Sequence, residues 1–234
     1  MPLVRPVLVA LFALVTAEPD APFRIAKTLY SENFKHGLGH WRAELEKPGQ
    51  VVANNGLLQL DVPAGATVWF RPELQEPVMI EYEATPVSRG GPNDRVSDLN
   101  CFWMASDARS PRDLFATTRS GVFGDYNQLR AYYVGQGGNG NSTTRFRRYI
   151  GDRELRPLLP EHDLSDAGVL LNPNVVHKVQ LVADGGRIQY WSNGKLLFDV
   201  RDAAPYTRGH FGFRTTYNHL EIRNFRVYRL AGQR

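Results

Sequence analysis

Arg187-Ile-Gln-Tyr-Trp-Ser192-Asn-Gly194-Lys195-Leu-Leu-Phe-Asp-Val200 reads as two short runs of β-branched and aromatic residues joined at Asn193-Gly194. An Asn-Gly pair between such runs signals a hairpin, because both residues accept the positive φ of a tight turn. Working outward, Asn54-Asn-Gly56 and Asp184-Gly-Gly186 mark two more turns of the same kind. Between the turn residues, strands are expected at 28–34, 41–45, 51–54, 57–62, 67–71, 78–87, 97–105, 126–134, 144–150, 177–183, 187–192, 195–200, 210–216 and 219–230. No helix-length amphipathic segment, internal repeat or Pro/Ser-rich linker interrupts them. The pattern predicts an all-β fold, a two-sheet antiparallel jelly-roll sandwich, as a single domain over residues 18–234.

The ends of the chain and its composition narrow the setting. Met1-Pro-Leu-Val-Arg5 carries a positive charge, and Val7 to Val15 is a continuous apolar run. That run is about half of the roughly 20 residues needed to cross a bilayer. With Ala17 closing it, residues 1–17 read as a signal peptide cleaved near Ala17, and the mature protein as secreted or periplasmic in a bacterium. Cys101 is the single cysteine, so no internal disulfide forms, and its neighbours Leu99, Phe102 and Trp103 mark it as a small core residue rather than a nucleophile. A net charge of +4 without Lys/Arg runs argues against a nucleic-acid partner and is compatible with an acidic ligand. No membrane insertion is expected.

Three long connections break the strand rhythm: 106–123, the Gly-rich 135–142, and 151–174, where a short helical turn is expected at 163–167. Long loops on a rigid sandwich commonly rim a binding site. The Gly-rich one lacks the Gly-Lys-Ser/Thr ending and the following helix of a phosphate loop.

Site chemistry is read from Tyr126-Asn-Gln128-Leu-Arg130-Ala-Tyr132-Tyr-Val134. As a strand of period two it places Tyr126, Gln128, Arg130 and Tyr132 on one face. Asp98, Asn100 and Phe102 alternate with Leu99, Cys101 and Trp103, and Arg145, Arg147 and Tyr149 alternate with Phe146 and Arg148. His210, Gly212 and Arg214 oppose Phe211 and Phe213, with Asn218 and His219 just beyond. If these faces line one groove, it holds guanidinium, amide, phenol and imidazole groups suited to an oxygen-rich anion. A one-residue bulge would exchange the faces.

Three chemistries fit unequally. A glycoside hydrolase needs two carboxylates across the scissile bond, and the pair at strand spacing is Glu81 and Glu83. The six histidines show no metal-ligand spacing and there is no Gly-x-Ser-x-Gly elbow. β-Elimination on a uronate polymer needs donors aimed at the sugar carboxylate and a Tyr or His to exchange protons, and those residue types are present. Each residue has a structural alternative that stays open: Arg130 pairing with Asp98, Tyr132 as a cross-strand aromatic, His210 and His219 as ordinary strand-flanking residues, and the four tryptophans as core.

The segments Asp98-Leu-Asn-Cys-Phe-Trp-Met-Ala105, Tyr126 to Gly135, Thr143-Thr-Arg-Phe-Arg-Arg-Tyr149, Arg156-Pro-Leu-Leu-Pro-Glu-His162, Phe211-Gly-Phe-Arg-Thr215 and Asn224-Phe-Arg-Val-Tyr228 resemble a bacterial family of secreted concanavalin A-like domains of unknown function. The resemblance spans roughly residues 28 to 230. The chain is similar, more distantly, to jelly-roll proteins of rhamnogalacturonan and other pectin-utilisation systems, and to jelly-roll polysaccharide lyases. The resemblance implies the lectin/glucanase-type sandwich and a carbohydrate setting, and implies the lyase reaction without matching a lyase motif residue by residue. Tyr126-Asn-Gln128 is superficially similar to one lyase element, whereas the Gln-Ile-His signature is absent.

The expected function is therefore a secreted protein that binds an acidic polysaccharide or oligosaccharide and cleaves it by β-elimination. The alternatives are a non-catalytic lectin-like module and a hydrolase using Glu81 and Glu83. Tyr132 and His210 are the expected proton-exchanging residues, with Arg130 beside them. Asp98, Asn100, Gln128, Arg145, Arg147, Arg214, Asn218 and His219 are the expected substrate contacts. No cofactor is expected: calcium occurs in related sandwich folds, but the chain shows no dense oxygen-ligand loop.

Overall fold

The computed structural model describes residues 23–156 and 160–231. Residues 1–17, which carry the expected leader, lie outside them. In chain order the strands are β1 (Ile25–Glu32), β2 (Trp41–Leu45), β3 (Gln50–Asn54), β4 (Leu57–Gln75), β5 (Val78–Pro86), β6 (Leu99–Asp107), β7 (Leu129–Gly137), β8 (Thr143–Ile150), β9 (Asp163–Leu164), β10 (His177–Asp184), β11 (Arg187–Ser192), β12 (Lys195–Arg201) and β13 (Arg208–Leu230). The Asn-Gly turn sits where the sequence places it. Ser192 pairs with Lys195 across Asn193 and Gly194, whose φ values are 51° and 76°. Asn54–Leu57 and Asp184–Arg187 close in the same way.

Two pairs of expected strands are each a single long strand. β4 continues through Pro63 and Gly65, and β13 continues through Tyr217, because the two stay hydrogen-bonded to each other along most of their length. They bend together at a register shift between Thr216 and Asn218, where Tyr217 takes φ 45°. Both strands thereby pass from one sheet to the other. The first sheet runs β12-β11-β10-β5-β13, with β1 and the β4–β3 pair on the far side of β13. The second runs β2-β4-β13-β6-β7-β8-β9. Antiparallel pairing throughout gives the jelly-roll sandwich.

Alternation sends one set of side chains between the sheets. Trp41, Phe70, Phe211, Phe213 and Phe225 form an aromatic block there, with ring centroids 4.7–5.5 Å apart at Phe211–Phe213, Phe70–Phe225 and Trp41–Phe213. Each buried ring contributes roughly 2–3 kcal/mol of transfer free energy. Cys101 lies fully buried in this core, and burial pushes its thiol up to about 12. The expected turn at 163–167 is instead two 3-10 turns, Pro160–His162 and Ala167–Val169, flanking β9.

A second apolar cluster, unexpected in size, covers the outer face of the second sheet. Trp69, Phe102, Tyr126, Tyr133 and Tyr149 build it, with Trp69–Phe102 and Phe102–Tyr126 stacked at 5.8 and 5.7 Å. Gly212 is required beneath Trp69, since a Cβ there would approach Trp69 Cε3 to 2.5 Å. The connection between β6 and β7 folds over this cluster and is fixed by buried charges. Arg119 donates to both carboxylate oxygens of Glu44 at 3.0 and 3.1 Å, and to Asp107 Oδ2 at 3.0 Å. Trp69 Nε1 and Tyr126 OH also donate to Glu44, at 2.9 and 2.8 Å. Arg109 pairs with Asp107, so the two acids meet two guanidinium groups and the cluster is charge-balanced.

Candidate functional site

Beyond the edge of that folded connection, the outer face of the second sheet stays open as a cleft of about 270 Å³. Strand register explains its floor. Thr67, Arg214, Asn100, Gly135 and Arg145 lie side by side across β4, β13, β6, β7 and β8. The next row is Trp69, Gly212, Phe102, Tyr133 and Arg147. Strands are about 4.8 Å apart, so Arg214 and Arg145 stand roughly 14 Å apart across the floor, with the glycine hollow between them. A Cβ on Gly135 would come within 3.1 Å of Tyr133 OH and 3.3 Å of Asn100 Oδ1. The missing side chain leaves a hollow against those two atoms. Phe123, Tyr149 and Arg156 wall the cleft.

The electrostatics are lopsided. Arg145, Arg147, Arg156 and Arg214 line the cleft against one acid, Asp98. That acid is already engaged by Arg95, and it accepts from Ser97 Oγ at 3.0 Å. Arg147 donates to Asp163 at 2.6 and 3.2 Å, and Arg145 lies 3.5 Å from the same carboxylate.

Arg214 is different. It is 1% exposed and donates from Nη1 to Gly121 O at 2.6 Å and Thr67 Oγ1 at 3.2 Å. It lies over the rings of Tyr126 and Phe123 at 5.0 and 5.3 Å, its Nε is buried without a partner, and no described carboxylate forms an ion pair with it. Asn100 Oδ1 is likewise buried and unpartnered. Polar atoms left unsatisfied in a dry site cost about 1–3 kcal/mol each, more for a charge, and a ligand bearing an anion and a hydroxyl would relieve both. Tyr149 OH accepts from Arg156 at 3.2 Å. Burial pushes the Tyr133 phenol well above its ordinary pKa, against the nearby Arg214 charge.

The structure gathers Asp98, Asn100, Arg145, Arg147 and Arg214 in this cleft and separates the other expected residues from it. Tyr132 faces the core between the sheets and is fully buried. Its hydroxyl donates to Asp202 at 2.6 Å and accepts from the Tyr206 N–H at 3.1 Å, and burial pushes its pKa far up. Catalysis by Tyr132 is therefore corrected to a structural role. The physical reason is phase: Phe123–Tyr126 is a 3-10 turn and β7 begins at Leu129, so alternation counted from Tyr126 lands on the wrong face. Tyr133 is the tyrosine of β7 that reaches the cleft.

Arg130 is exposed at the start of β7, beside Gly151 and Ala108, and does not pair with Asp98. His210 lies under the folded connection, its ring 4.9 Å from that of Phe115, and burial lowers its pKa. Neither reaches the cleft, so the proton exchange expected of His210 and the place expected for Arg130 beside it are corrected on position. Asn218 is buried, donating to Ser97 O and to Thr215 Oγ1, the latter at 3.0 Å. His219 contacts Asp94 and Gln59, both at 2.8 Å. Gln128 lies at a separate hollow. Glu81 and Glu83 point out of the first sheet, on the far side of the sandwich, where Glu81 meets Gln180 and Lys178 at 2.8 and 3.2 Å and Glu83 accepts from Asn224 at 2.9 Å. They cannot flank a bond in this cleft.

Sequence reasoning missed Tyr133, Phe123 and Arg156 as cleft residues. The in-phase run Arg145, Arg147, Tyr149 already pointed to Tyr149. Replacing Tyr132 by phenylalanine is expected to cost about 1.5–3 kcal/mol, because a hydrogen bond to a charged acceptor is lost. Denaturant unfolding reads that cost, and saccharide binding should be unchanged. A binding loss with unaltered stability would restore Tyr132 to the site.

Residues 60–225 match the family model described as Domain of unknown function (DUF6250). No curated protein matches the chain. Among solved structures, the chain is similar to a protein of unknown function with a galectin-like fold from Bacillus subtilis, at 18% identity and TM-score 0.70, over 90% of this chain and 100% of that one. It is similar to the carbohydrate-binding module CBM66 from Bacillus subtilis, at 10% identity and TM-score 0.55, over 82% and 96%. An endo-β-1,3-glucanase from Pyrococcus furiosus follows at 10% identity and TM-score 0.58, over 90% and 98%. At these identities the likeness shows the fold and nothing finer.

Proposed function

We propose that this chain, which belongs to the DUF6250 family of domains of unknown function, binds an acidic saccharide in the Arg214 cleft, outside the cytoplasm of a bacterium. One observation carries the reading: Arg214 is a buried guanidinium that forms no ion pair among the described residues, exposed Glu46 standing near its Nη2 across Gly65 but beyond pairing distance, in a cleft that three further arginines line. A desolvated cation of this kind is stabilised by an incoming carboxylate or sulfate, and the planar fork favours a two-oxygen anion. Asn100 Oδ1 and Tyr133 OH, beside the Gly135 hollow, supply an acceptor and a donor for a ring hydroxyl. The CBM66 module and the glucanase among the similar structures make a saccharide the natural ligand class for this fold.

Binding without cleavage is the better reading of the cleft. β-Elimination needs a base that removes the proton α to the uronate carboxyl. Tyr133 occupies the place expected of Tyr132, but its raised pKa keeps the phenol protonated at neutral pH. No histidine lines the cleft among the described residues.

The test incubates the purified chain with polygalacturonate, alginate, hyaluronate and a neutral glucan at low salt. The account expects retention on acidic polymers, weakened by salt, with no gain of ultraviolet absorbance from unsaturated ends. Absorbance growth would establish the lyase. Equal affinity for the neutral glucan would remove the role given to Arg214.

A further inference from the structure

A second hollow of about 320 Å³ is lined by Arg109, Gly124, Asp125, Asn127, Gln128 and Arg153. Neighbouring residues of the same two segments line it and the cleft. Phe123 of the Phe123–Tyr126 turn lines the first, and Gly124 and Asp125 of the same turn line the second. The segment after β8 is divided likewise, with Arg156 on the first hollow and Arg153 on the second. The ridge is low and partly aromatic: Phe123 is 36% exposed, and a Cβ on Gly124 would meet nothing within 4 Å.

The second hollow has its own unanswered polar groups. Asn127 Oδ1 is buried with no partner. Arg109 is held rigidly by Asp107 at 2.9 and 2.7 Å, which orients its fork toward Asp125 O at 3.3 Å. Asp125 is satisfied internally, accepting from the backbone N–H and hydroxyl of Ser120 at 2.8 and 2.7 Å. Arg153 is 78% exposed, and its ion pair with Glu154 is 3.9 Å long. Each hollow alone sits at or below the bottom of the roughly 300–1,000 Å³ range of ligand sites. A ligand filling both would fall well inside it.

We infer that the two hollows are consecutive subsites for one acidic glycan chain, which crosses the Phe123–Gly124 ridge and places acidic groups near Arg214 on one side and Arg153 on the other. This rests on the acidic-saccharide reading above and extends it from a single sugar to a polymer. Phe123, whose ring lies under the Arg214 and Arg156 guanidiniums, leaves part of its apolar surface exposed for a sugar to contact at the crossing. Joining a second weak site to the first raises affinity through effective concentration, without new contacts in the first.

The experiment measures affinity by calorimetry for disaccharides and much longer oligomers of galacturonate, mannuronate and glucuronate. It compares the wild-type chain with the double variant Gln128→Ala, Arg153→Ala. Arg153 is exposed, Gln128 is half-buried without a side-chain hydrogen bond among the described residues, and both lie outside the first cleft, so the variant should fold normally. The wild type should bind a long oligomer on the order of tenfold or more tighter than its disaccharide. The double variant should lose that gain while keeping the disaccharide affinity. Affinity independent of length, or equal weakening of short and long oligomers by the variant, overturns the two-subsite inference and leaves the Arg214 cleft standing. Failure of every disaccharide and every long oligomer to bind sinks both.

Discussion

Replacing Arg214 by methionine is expected to abolish measurable binding of acidic oligosaccharides while leaving the sandwich folded. Truncating one side of a buried, hydrogen-bonded charge pair costs about 2–5 kcal/mol of binding free energy, on the order of a hundredfold in affinity. The stability side is nearly balanced. Methionine keeps the stem packed against Tyr126 and Phe123 but withdraws donors from Gly121 O and Thr67 Oγ1. Those losses cost about 1–3 kcal/mol, and removing a buried charge that no described carboxylate pairs with offsets them. The melting temperature should therefore move by only a few degrees. Arg214→Lys should recover part of the binding, because the charge returns without the fork. Unchanged affinity in Arg214→Met would show that the anion docks elsewhere.

The largest stability effect is expected at Arg119, whose chemistry is the reverse. Here a fully buried guanidinium serves two buried carboxylates, and Arg119→Met leaves Glu44, among the described residues, with Trp69 and Tyr126 as donors. Breaking a buried pair from one side costs about 3–5 kcal/mol, which lowers the melting temperature of a chain this size by roughly 10 °C. The acid limb of wild-type stability is set by depressed carboxyls, one of them in this network and another apart from it. Burial raises the Asp107 carboxyl, but hydrogen bonds from Arg109 and the charges of Arg109 and Arg119 outweigh it and hold it below the usual range. Asp94 is held at about 2, first by the backbone N–H of Arg89 against a burial penalty, with Gly91 and His219 adding to it. Carboxyls depressed by folding contribute stability that is complete above their unfolded pKa of about 4 and lost as pH falls through the folded values. His162, His177 and His210 are held below their ordinary pKa by burial, so they withdraw stability as pH falls below the unfolded value of about 6.5. Thermal melts followed by circular dichroism from pH 7 downward should show a shallow decline below about pH 6.5 and a steeper one below about pH 4; a melting temperature that does not fall below about pH 4 would contradict the role given to the carboxyls.

The fold was legible because its signals are local. Asn193-Gly194 and Gly185-Gly186 each require φ above zero at adjacent positions, and period-two alternation around them leaves only sheet. The continuity of β4 and β13 was not legible, since Pro63 and Tyr217 read as breaks while the pairing that bridges them is long-range. The candidate site divides in the same way. Asn100, Arg145, Arg147 and Arg214 were found because each sits mid-strand beside clear core residues that fix its phase. Tyr132 was misplaced because the phase was counted from Tyr126, in a 3-10 turn whose ring packs on Trp69 and Phe102. The Arg119–Glu44–Asp107 cluster was invisible, since the side chains of Glu44 and Arg119 meet across 75 residues of sequence and nothing local marks the pair.

Calorimetric titration with one oligosaccharide in two forms, oligogalacturonate and the same oligomer with every carboxyl reduced to the alcohol, tests the central claim most directly. The two differ only in the charge that Arg214 is proposed to receive. The acid form should bind with an affinity that falls as salt rises, and the reduced form should bind at least on the order of a hundredfold more weakly. Equal binding of both forms, or binding of the reduced form alone, would contradict the account.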